Sequence, residues 1–387
     1  MDYIPYGRQC IDEDDIEAVV RVLRSDWLTQ GPIIERFEEA VAQYCGAKYA
    51  VAVNSATSAL HIACLAADLG KGDTLWTSPN TFVASANCGV YCGANVDFVD
   101  IDPFTYNLSV QAFREKLEHA AENNTLPTIV IPVHFAGQSC EMEEIRQLAN
   151  QYGITVVEDA SHSIGGLYKQ TPVGSCQFSD MAVFSFHPVK IITSGEGGMV
   201  VTNNEKLYQK LLLMRSHGIT RNSELMTEAA HGPWYYQQIE LGYNYRITDI
   251  QAALGLSQIK KINRFVKRRN EIALKYNQEL SGLPLRLPLQ IPESYSAYHL
   301  YVIRVKLDQI NLTHKDVFEA LRDAGIGVNL HYIPVHTQPY YQKLGHQWGD
   351  YPQSEQYYRE AISLPIYFDL SDEQQTYVIT KLKEVLV

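Results

Sequence analysis

A lysine between two apolar runs has the setting in this sequence that most strongly suggests chemistry. Lys190 lies in the stretch Ser185 to Gly198, which reads SFHPVKIITSGEGG and separates the apolar runs Met181 to Phe184 and Met199 to Thr202. An inward-facing lysine can form a Schiff base with a carbonyl cofactor, and a hydroxyl five positions earlier, on Ser185, can help to hold that cofactor's phosphate. The stretch therefore predicts a site for pyridoxal phosphate (PLP).

PLP makes further demands, and four other positions could meet them. A carboxylate must keep the pyridine nitrogen protonated, and Asp159 ends a strand-like run that begins at Ile154. A helix start must receive the phosphate, and Thr57 and Ser58 lie where an apolar helix begins. An aromatic ring must face the cofactor ring, and Phe82 is a candidate. Each residue alone also fits an ordinary structural role, such as a cap or an edge-strand lysine, so the prediction depends on their joint occurrence.

Alternating strand and helix patterns must position these residues. Between Tyr49 and Glu158, short apolar runs alternate with helical segments, which is typical of a largely parallel sheet covered by helices on both faces. A helical pattern from Ile247 to Glu279 predicts one long connector, followed by a small α/β domain. We therefore expect a large PLP-binding domain over residues 1–255, and a connector helix with a small C-terminal domain over residues 256–387.

Composition indicates a globular protein that binds neither nucleic acid nor membranes. The chain has 387 residues, of which 46% are hydrophobic and 20% charged. Its 44 acidic and 32 basic residues give a net charge of −12, which offers no electrostatic support for binding nucleic acid. The first residues lack the pattern of a signal peptide, and the longest apolar stretch, Ala59 to Ala67, is too short to span a bilayer.

Cysteine and histidine spacing predicts a reducing compartment and no metal. The seven cysteines are scattered without a C-x-x-C pair, which indicates reduced thiols and, with no leader, a cytoplasmic protein. His187, His331 and His336 have no H-E-x-x-H pattern or Cys/His ligand spacing around them, so we expect no metal site.

Six segments, taken in order, resemble one known family. They are NSATSAL, TFVAS, PVHFAGQ, VVEDASH, SFHPVK with GEGG, and LGYNYRITDIQAALG. These segments are similar to the DegT/DnrJ/EryC1/StrS family of nucleotide-sugar aminotransferases, which are PLP-dependent enzymes of fold type I. The resemblance extends from Tyr6 to the last helix. It implies an α/β transferase fold with a mostly parallel central sheet and a smaller C-terminal α/β domain.

The resemblance also implies roles for single residues. Lys190 matches the lysine that binds PLP, and Asp159 matches the partner of the pyridine nitrogen. Asn244 matches an asparagine that reaches the phosphate in the neighbouring subunit, which implies a homodimer with shared active sites. The remaining implied cofactor contacts are the phosphate ligands Thr57 and Ser185, the backbone N–H of Ser58, and the stacking ring of Phe82.

One position departs from the pattern of many family members. His162 stands where many sugar aminotransferases carry glutamine. Two interpretations remain open: the imidazole forms a hydrogen bond with the phenolic oxygen of PLP, or it packs over the cofactor ring.

Within the family, the segments SFHPVK, MRSHGI and NLHYIPVH are most similar to the pseudaminic acid branch. That similarity implies transfer of an amino group from L-glutamate to C4 of a UDP-linked 2-acetamido-2,6-dideoxy-4-keto-hexose. The alternative acceptors are the UDP-linked D-xylo epimer and a dTDP-4-ketosugar. The candidate substrate contacts are Tyr6, Arg8, Thr29, His217, His331 and Tyr332.

Three other functions are less consistent with the sequence. A dehydratase of the same fold would carry histidine in place of Lys190. A cysteine desulfurase would need a nucleophilic cysteine in an electropositive setting, and none is evident. A non-catalytic PLP-binding regulator would be expected to carry a DNA-binding domain or a basic patch, and the sequence shows neither.

Overall fold

The computed structural model describes residues 3–386, which form seventeen strands and thirteen α-helices. The strands are β1 Ile4–Pro5, β2 Tyr49–Val53, β3 Thr74–Thr77, β4 Asn95–Phe98, β5 Ile129–Ile131, β6 Thr155–Asp159, β7 Leu167–Tyr168, β8 Thr171–Pro172, β9 Met181–Ser185, β10 Gly198–Thr202, β11 Ile219–Thr220, β12 Gln237–Gln238, β13 Leu285–Arg286, β14 Ser294–Tyr295, β15 Tyr301–Val305, β16 Ile326–Gly327 and β17 Ala361–Leu364. The helices are α1 Glu13–Leu23, α2 Pro32–Cys45, α3 Ala56–Ala66, α4 Ala84–Tyr91, α5 Val110–Asn123, α6 Met142–Tyr152, α7 Glu205–Arg215, α8 Asp249–Gln258, α9 Ile262–Glu279, α10 His314–Asp323, α11 Pro339–Gln342, α12 Pro352–Glu360 and α13 Asp372–Leu386.

A seven-stranded sheet forms the centre of the fold, in the order β2-β10-β9-β6-β5-β3-β4. Only β10 runs in the direction opposite to the other six strands, so the predicted mostly parallel sheet is confirmed. In the parallel pair β6 and β9, Asp159 lies opposite Val183. The carboxyl ends of these strands therefore meet at one edge of the sheet, where ligands of open α/β sheets bind.

Helices cover both faces of the sheet because its strands are apolar on both sides. In β2, Val51 and Val53 pack into the same core cluster as the apolar residues of α3. Ala50 and Ala52 point to the opposite face and join the core formed with α2 and α8. The alternation along one strand thus separates two hydrophobic layers.

The predicted single connector helix is wrong in one respect. The segment forms two helices, α8 and α9, with a short 3-10 turn at Ile259–Lys261 between them. α8 contacts α1 and α2. α9 joins two cores, because Phe265 lies in the cluster with α2 and α8, while Ile272 and Tyr276 enter the C-terminal core.

The C-terminal part has a sheet of its own, in the order β13-β15-β17. Its core joins residues of α9, α10 and α13 with those of the sheet. The predicted boundary between residues 255 and 256 lies inside α8, and the division into two domains stays a prediction. No helix within residues 3–386 combines the length and the apolar character needed to cross a membrane.

Candidate active site

A cavity of about 420 Å³ lies at the carboxyl edge of the central sheet. Its volume is within the range of ordinary small-molecule sites. The sequence-predicted residues that line it are Tyr6, Thr57, Phe82, Asp159, His162, Ser185, Lys190, His331 and Tyr332. Those that do not line it are Arg8, Thr29, Ser58, His217 and Asn244. The structure therefore brings together most of the predicted cofactor contacts and half of the predicted substrate contacts.

Lys190 lies in the loop between β9 and β10 and is partly buried. Its Nζ is 3.5 Å from Nε2 of His299. Burial disfavours the charged ammonium and lowers the pKa of Lys190 to about 8, although the carboxylate of Asp159 acts in the opposite direction. The amine can therefore lose its proton close to neutral pH, as a nucleophile or a general base must.

Asp159 is the last residue of β6 and is 6% exposed. Its Oδ2 accepts a hydrogen bond of 2.6 Å from Ser85 Oγ, and its Oδ1 accepts one of 3.1 Å from the N–H of Ser161. Within residues 3–386 no Lys, Arg or His side chain forms a salt bridge with this carboxylate. A buried carboxylate without a contacting cation suits a ligand that brings a positive charge, such as a protonated pyridine nitrogen.

The first turn of α3 borders the cavity, but Ser58, whose N–H the resemblance implies as a phosphate donor, is not part of the lining. Ser55 caps the helix, and its Oγ accepts the N–H of Ser58 at 3.1 Å. The predicted phosphate donor Ser58 is thus already used by the cap. Ala56 and Thr57 line the cavity instead, and first-turn N–H groups have no intrahelical partner. With the hydroxyl of Ser185, they could hold a phosphate.

Aromatic side chains form the wall of the cavity. Phe82 is 57% exposed, with its ring centre 6.1 Å from that of Tyr332. His162 accepts a backbone hydrogen bond at Nδ1 from Ala136, so its proton lies on Nε2, which is 3.1 Å from Tyr332 Oη. Burial, with a smaller effect from Lys190, lowers the pKa of His162 well below its usual value, so the ring is neutral. Both interpretations of His162 stay open.

The sequence did not indicate two buried residues that contact Lys190 and Asp159. His299 contacts Lys190, and Ser85 contacts Asp159. Ser85 ends the segment TFVAS, which is part of the resemblance but implied no role for this residue, and His299 lies in none of the six segments. His331, which the resemblance did indicate, is 6% exposed and lies 2.8 Å from Ser363 Oγ through Nδ1. Burial, with the nearby Lys190, lowers the pKa of His331 to about 3.

Of the predicted residues outside the cavity, Arg8, Thr29, His217 and Asn244 are exposed, whereas Ser58 is buried. Asn244 forms a backbone bridge with Ser216, and Thr29 forms one with Thr248. The cavity lining formed by the described residues contains Lys190 but no arginine. Additional cationic groups for an anionic substrate would have to come from outside this lining.

Comparisons with known proteins agree with this geometry. The DegT/DnrJ/EryC1/StrS aminotransferase family matches residues 9–383. The spore coat polysaccharide biosynthesis protein SpsC of Bacillus subtilis is 39% identical over 99% of this chain and 97% of its own length. The UDP-4-amino-4,6-dideoxy-N-acetyl-beta-L-altrosamine transaminase of Campylobacter jejuni is 37% identical over the same shares of the two chains.

A solved structure has the same fold over the whole chain. PseC of Helicobacter pylori, an aminotransferase of pseudaminic acid biosynthesis, aligns with a TM-score of 0.90 and 31% identity, covering 100% of this chain and 99% of its own. The donor set of the cavity fits PLP, with an amine, a buried carboxylate and a helix start around one space. This chain therefore belongs to the DegT/DnrJ/EryC1/StrS aminotransferase family and is a PLP-dependent sugar aminotransferase.

Proposed function

We propose that this enzyme transfers the amino group of L-glutamate to C4 of a UDP-linked 2-acetamido-2,6-dideoxy-4-keto-hexose of the L-arabino type, in pseudaminic acid biosynthesis. The placement of Lys190 and Asp159 in one cavity supports the transfer most directly. The substrate proposal is supported by two similar proteins, the Campylobacter jejuni transaminase and PseC.

Each residue of the cavity has a chemical task in this proposal. Lys190 would bind PLP through its ε-amine. Once displaced by the amino donor, it would move a proton from the donor Cα to C4′ of the cofactor, and in the second half-reaction from C4′ to C4 of the sugar. PLP, when bound, carries the amino group and delocalises the electron pair released at Cα. Asp159 keeps the pyridine nitrogen protonated, while Ser185 and the first turn of α3 hold the phosphate. Phe82 and His162 contact the cofactor, and Ser58 only shapes the helix start.

The proposal includes a homodimer with shared active sites. Asn244 is exposed and lies outside the cavity of its own chain, as expected of a residue that serves a second copy. Arg8, Thr29 and His217 are exposed in the same way, and we assign them to the substrate side together with Tyr6, His331 and Tyr332. A cytoplasmic location is supported by the seven cysteines, all of which are free thiols.

The acceptor sugar is tested by direct competition. The purified enzyme with PLP and glutamate is offered the UDP-linked L-arabino ketosugar, its D-xylo epimer and a dTDP-4-ketosugar, and the products are identified by mass spectrometry and NMR. We expect the highest kcat/KM for the L-arabino sugar. SpsC is a spore coat polysaccharide biosynthesis protein, so other acceptors are worth testing. A preference for one of the other ketosugars would replace the substrate proposal while the aminotransferase assignment stands.

A further inference from the structure

His299 is a buried residue of the cavity wall for which the proposed reaction has no task yet. It lies just before β15 and is 4% exposed. Nη1 of Arg269, itself 2% exposed, donates to the carbonyl oxygen of His299 at 3.3 Å. Close by, the N–H of Ala297 donates to the carbonyl oxygen of Gly137 at 3.0 Å. The backbone is thus fixed on both sides, and it holds the imidazole against Lys190.

The contact between the two side chains has a definite direction. Nε2 of His299 is 3.5 Å from Nζ of Lys190. An ammonium group can only donate, so Nε2 accepts and the imidazole proton lies on Nδ1. Nδ1 has no hydrogen-bond partner among the described residues. The distance is long, as such contacts often are before a substrate is bound.

The imidazole is neutral in this setting. Burial lowers the pKa of His299 well below its usual value, and neighbouring positive groups add to the effect. No carboxylate forms a hydrogen bond or salt bridge with the ring among residues 3–386, whereas the buried His134 has Glu158 at 2.6 Å. The titratable and cationic groups that face His299 are Lys190, His162, Arg269 and His331, and Lys190 also faces Asp159. His299 can therefore accept a hydrogen bond from Lys190 without taking the proton that Lys190 carries.

We propose that His299 is a positioning residue that accepts a hydrogen bond from the ammonium form of Lys190. The inference rests on the proposed role of Lys190 as the base. When the amine takes a proton from the donor Cα, it becomes a positive charge inside a buried site, where an ammonium without an acceptor is costly. The neutral imidazole would stabilise that charge and hold Nζ in place until the proton passes on to C4′ of the cofactor, and again when the proton moves from C4′ to the sugar C4. His299 itself neither gains nor loses a proton.

The first test uses the cofactor-free protein and does not depend on turnover. Trace acetylation with acetic anhydride over a series of pH values, followed by mass spectrometry, gives the apparent pKa of the Lys190 amine. His299→Phe keeps an aromatic ring but removes the acceptor, and His299→Gln keeps an acceptor. We expect the apparent pKa to fall by about one unit in His299→Phe, a tenfold change in the protonation equilibrium, and to change little in His299→Gln. His119→Gln, on the exposed surface of α5, is the matched control and should match the wild type.

The second test uses the PLP-loaded enzyme. In His299→Phe we expect kcat to fall about tenfold or more with little change in the KM of the ketosugar, and His299→Gln should recover most of the loss. An unchanged pKa of Lys190 in His299→Phe, or a loss in a folded His299→Gln as large as that in His299→Phe, would overturn the proposal. A wild-type enzyme without activity on any ketosugar would contradict the proposed function instead, and the acetylation result would still decide the role of His299.

Discussion

The hydroxyl of Ser85 donates a hydrogen bond of 2.6 Å to Oδ2 of Asp159 in the interior of the protein. A second hydroxyl, on Thr81, lies 2.7 Å behind it. Because both groups are neutral, they fix the orientation of the carboxylate without cancelling its charge. The negative charge therefore remains available to a cationic group in the cavity.

Replacing Ser85 by alanine should leave PLP bound but lower kcat about tenfold to a hundredfold, because a hydrogen bond to a charged group is lost. Ser85→Thr keeps the hydroxyl and serves as the matched control, with kcat close to that of the wild type. Steady-state kinetics measures both variants, and circular dichroism checks that they fold. Wild-type kcat in Ser85→Ala would show that Asp159 needs no such support.

Replacing Asp159 should lower the reaction rate more than replacing its hydrogen-bond partner Ser85. Asp159→Ala should retain PLP, as its absorbance spectrum will show, but lose roughly 2 to 4 kcal/mol of transition-state stabilisation, because the pyridine nitrogen is no longer kept protonated. Asp159→Asn keeps the shape of the side chain without its charge and should be similarly impaired. Near-normal turnover in either variant would rule out the proposed role.

Lys190 should be the point of covalent attachment. The purified enzyme should be yellow, and reduction with borohydride should fix the cofactor to the peptide that contains Lys190, as mass spectrometry can show. Lys190→Ala should show no such attachment and no sustained turnover. Multiple turnovers by that variant would mean that another group performs the proton transfer.

The shared active site can be tested with mixed subunits. Lys190→Ala and Asn244→Asp should each be inactive as homodimers. In a hybrid of the two, one of the two sites combines an intact Lys190 with an intact Asn244, so about half of the wild-type activity per dimer should return. Verified hybrids without activity would place Asn244 in the site of its own subunit.

The depressed pKa of Lys190 also predicts how stability depends on pH. The pKa of Lys190 is about 8 in the folded protein, against an ordinary lysine value of 10.5, so the unfolded chain binds more protons between these two pH values. The free energy of unfolding of the cofactor-free protein should therefore rise with pH across this window. Below pH 8 the buried amine destabilises the fold, and Lys190→Met should be more stable than the wild type by roughly 2 to 3 kcal/mol at pH 7. Urea denaturation at pH 7 and pH 10.5 measures this difference, which should shrink at the higher pH.

Much of the site could be predicted because its residues follow local patterns. Asp159 ends a β-branched run, and Lys190 with Ser185 lies beside two apolar runs that became β9 and β10. Parallel strands bring their carboxyl ends to one edge, so these positions had to meet once the sheet formed. The helix start at Thr57 could also be predicted from a local pattern, but the capping of that helix by Ser55 could not. Whether Ser55 or a phosphate would take the N–H of Ser58 depends on the local rotamer of Ser55.

The sequence by itself thus determined the sheet, the lysine, its carboxylate and the family, since all of these depend on short segments read in order. Only the tertiary structure decided which distant residues support them. His299 is 109 residues from Lys190, and Ser85 is 74 residues from Asp159. The break between α8 and α9 is another feature that only the tertiary structure decided. Such contacts depend on how helices and sheets pack against one another, and no local periodicity encodes that packing.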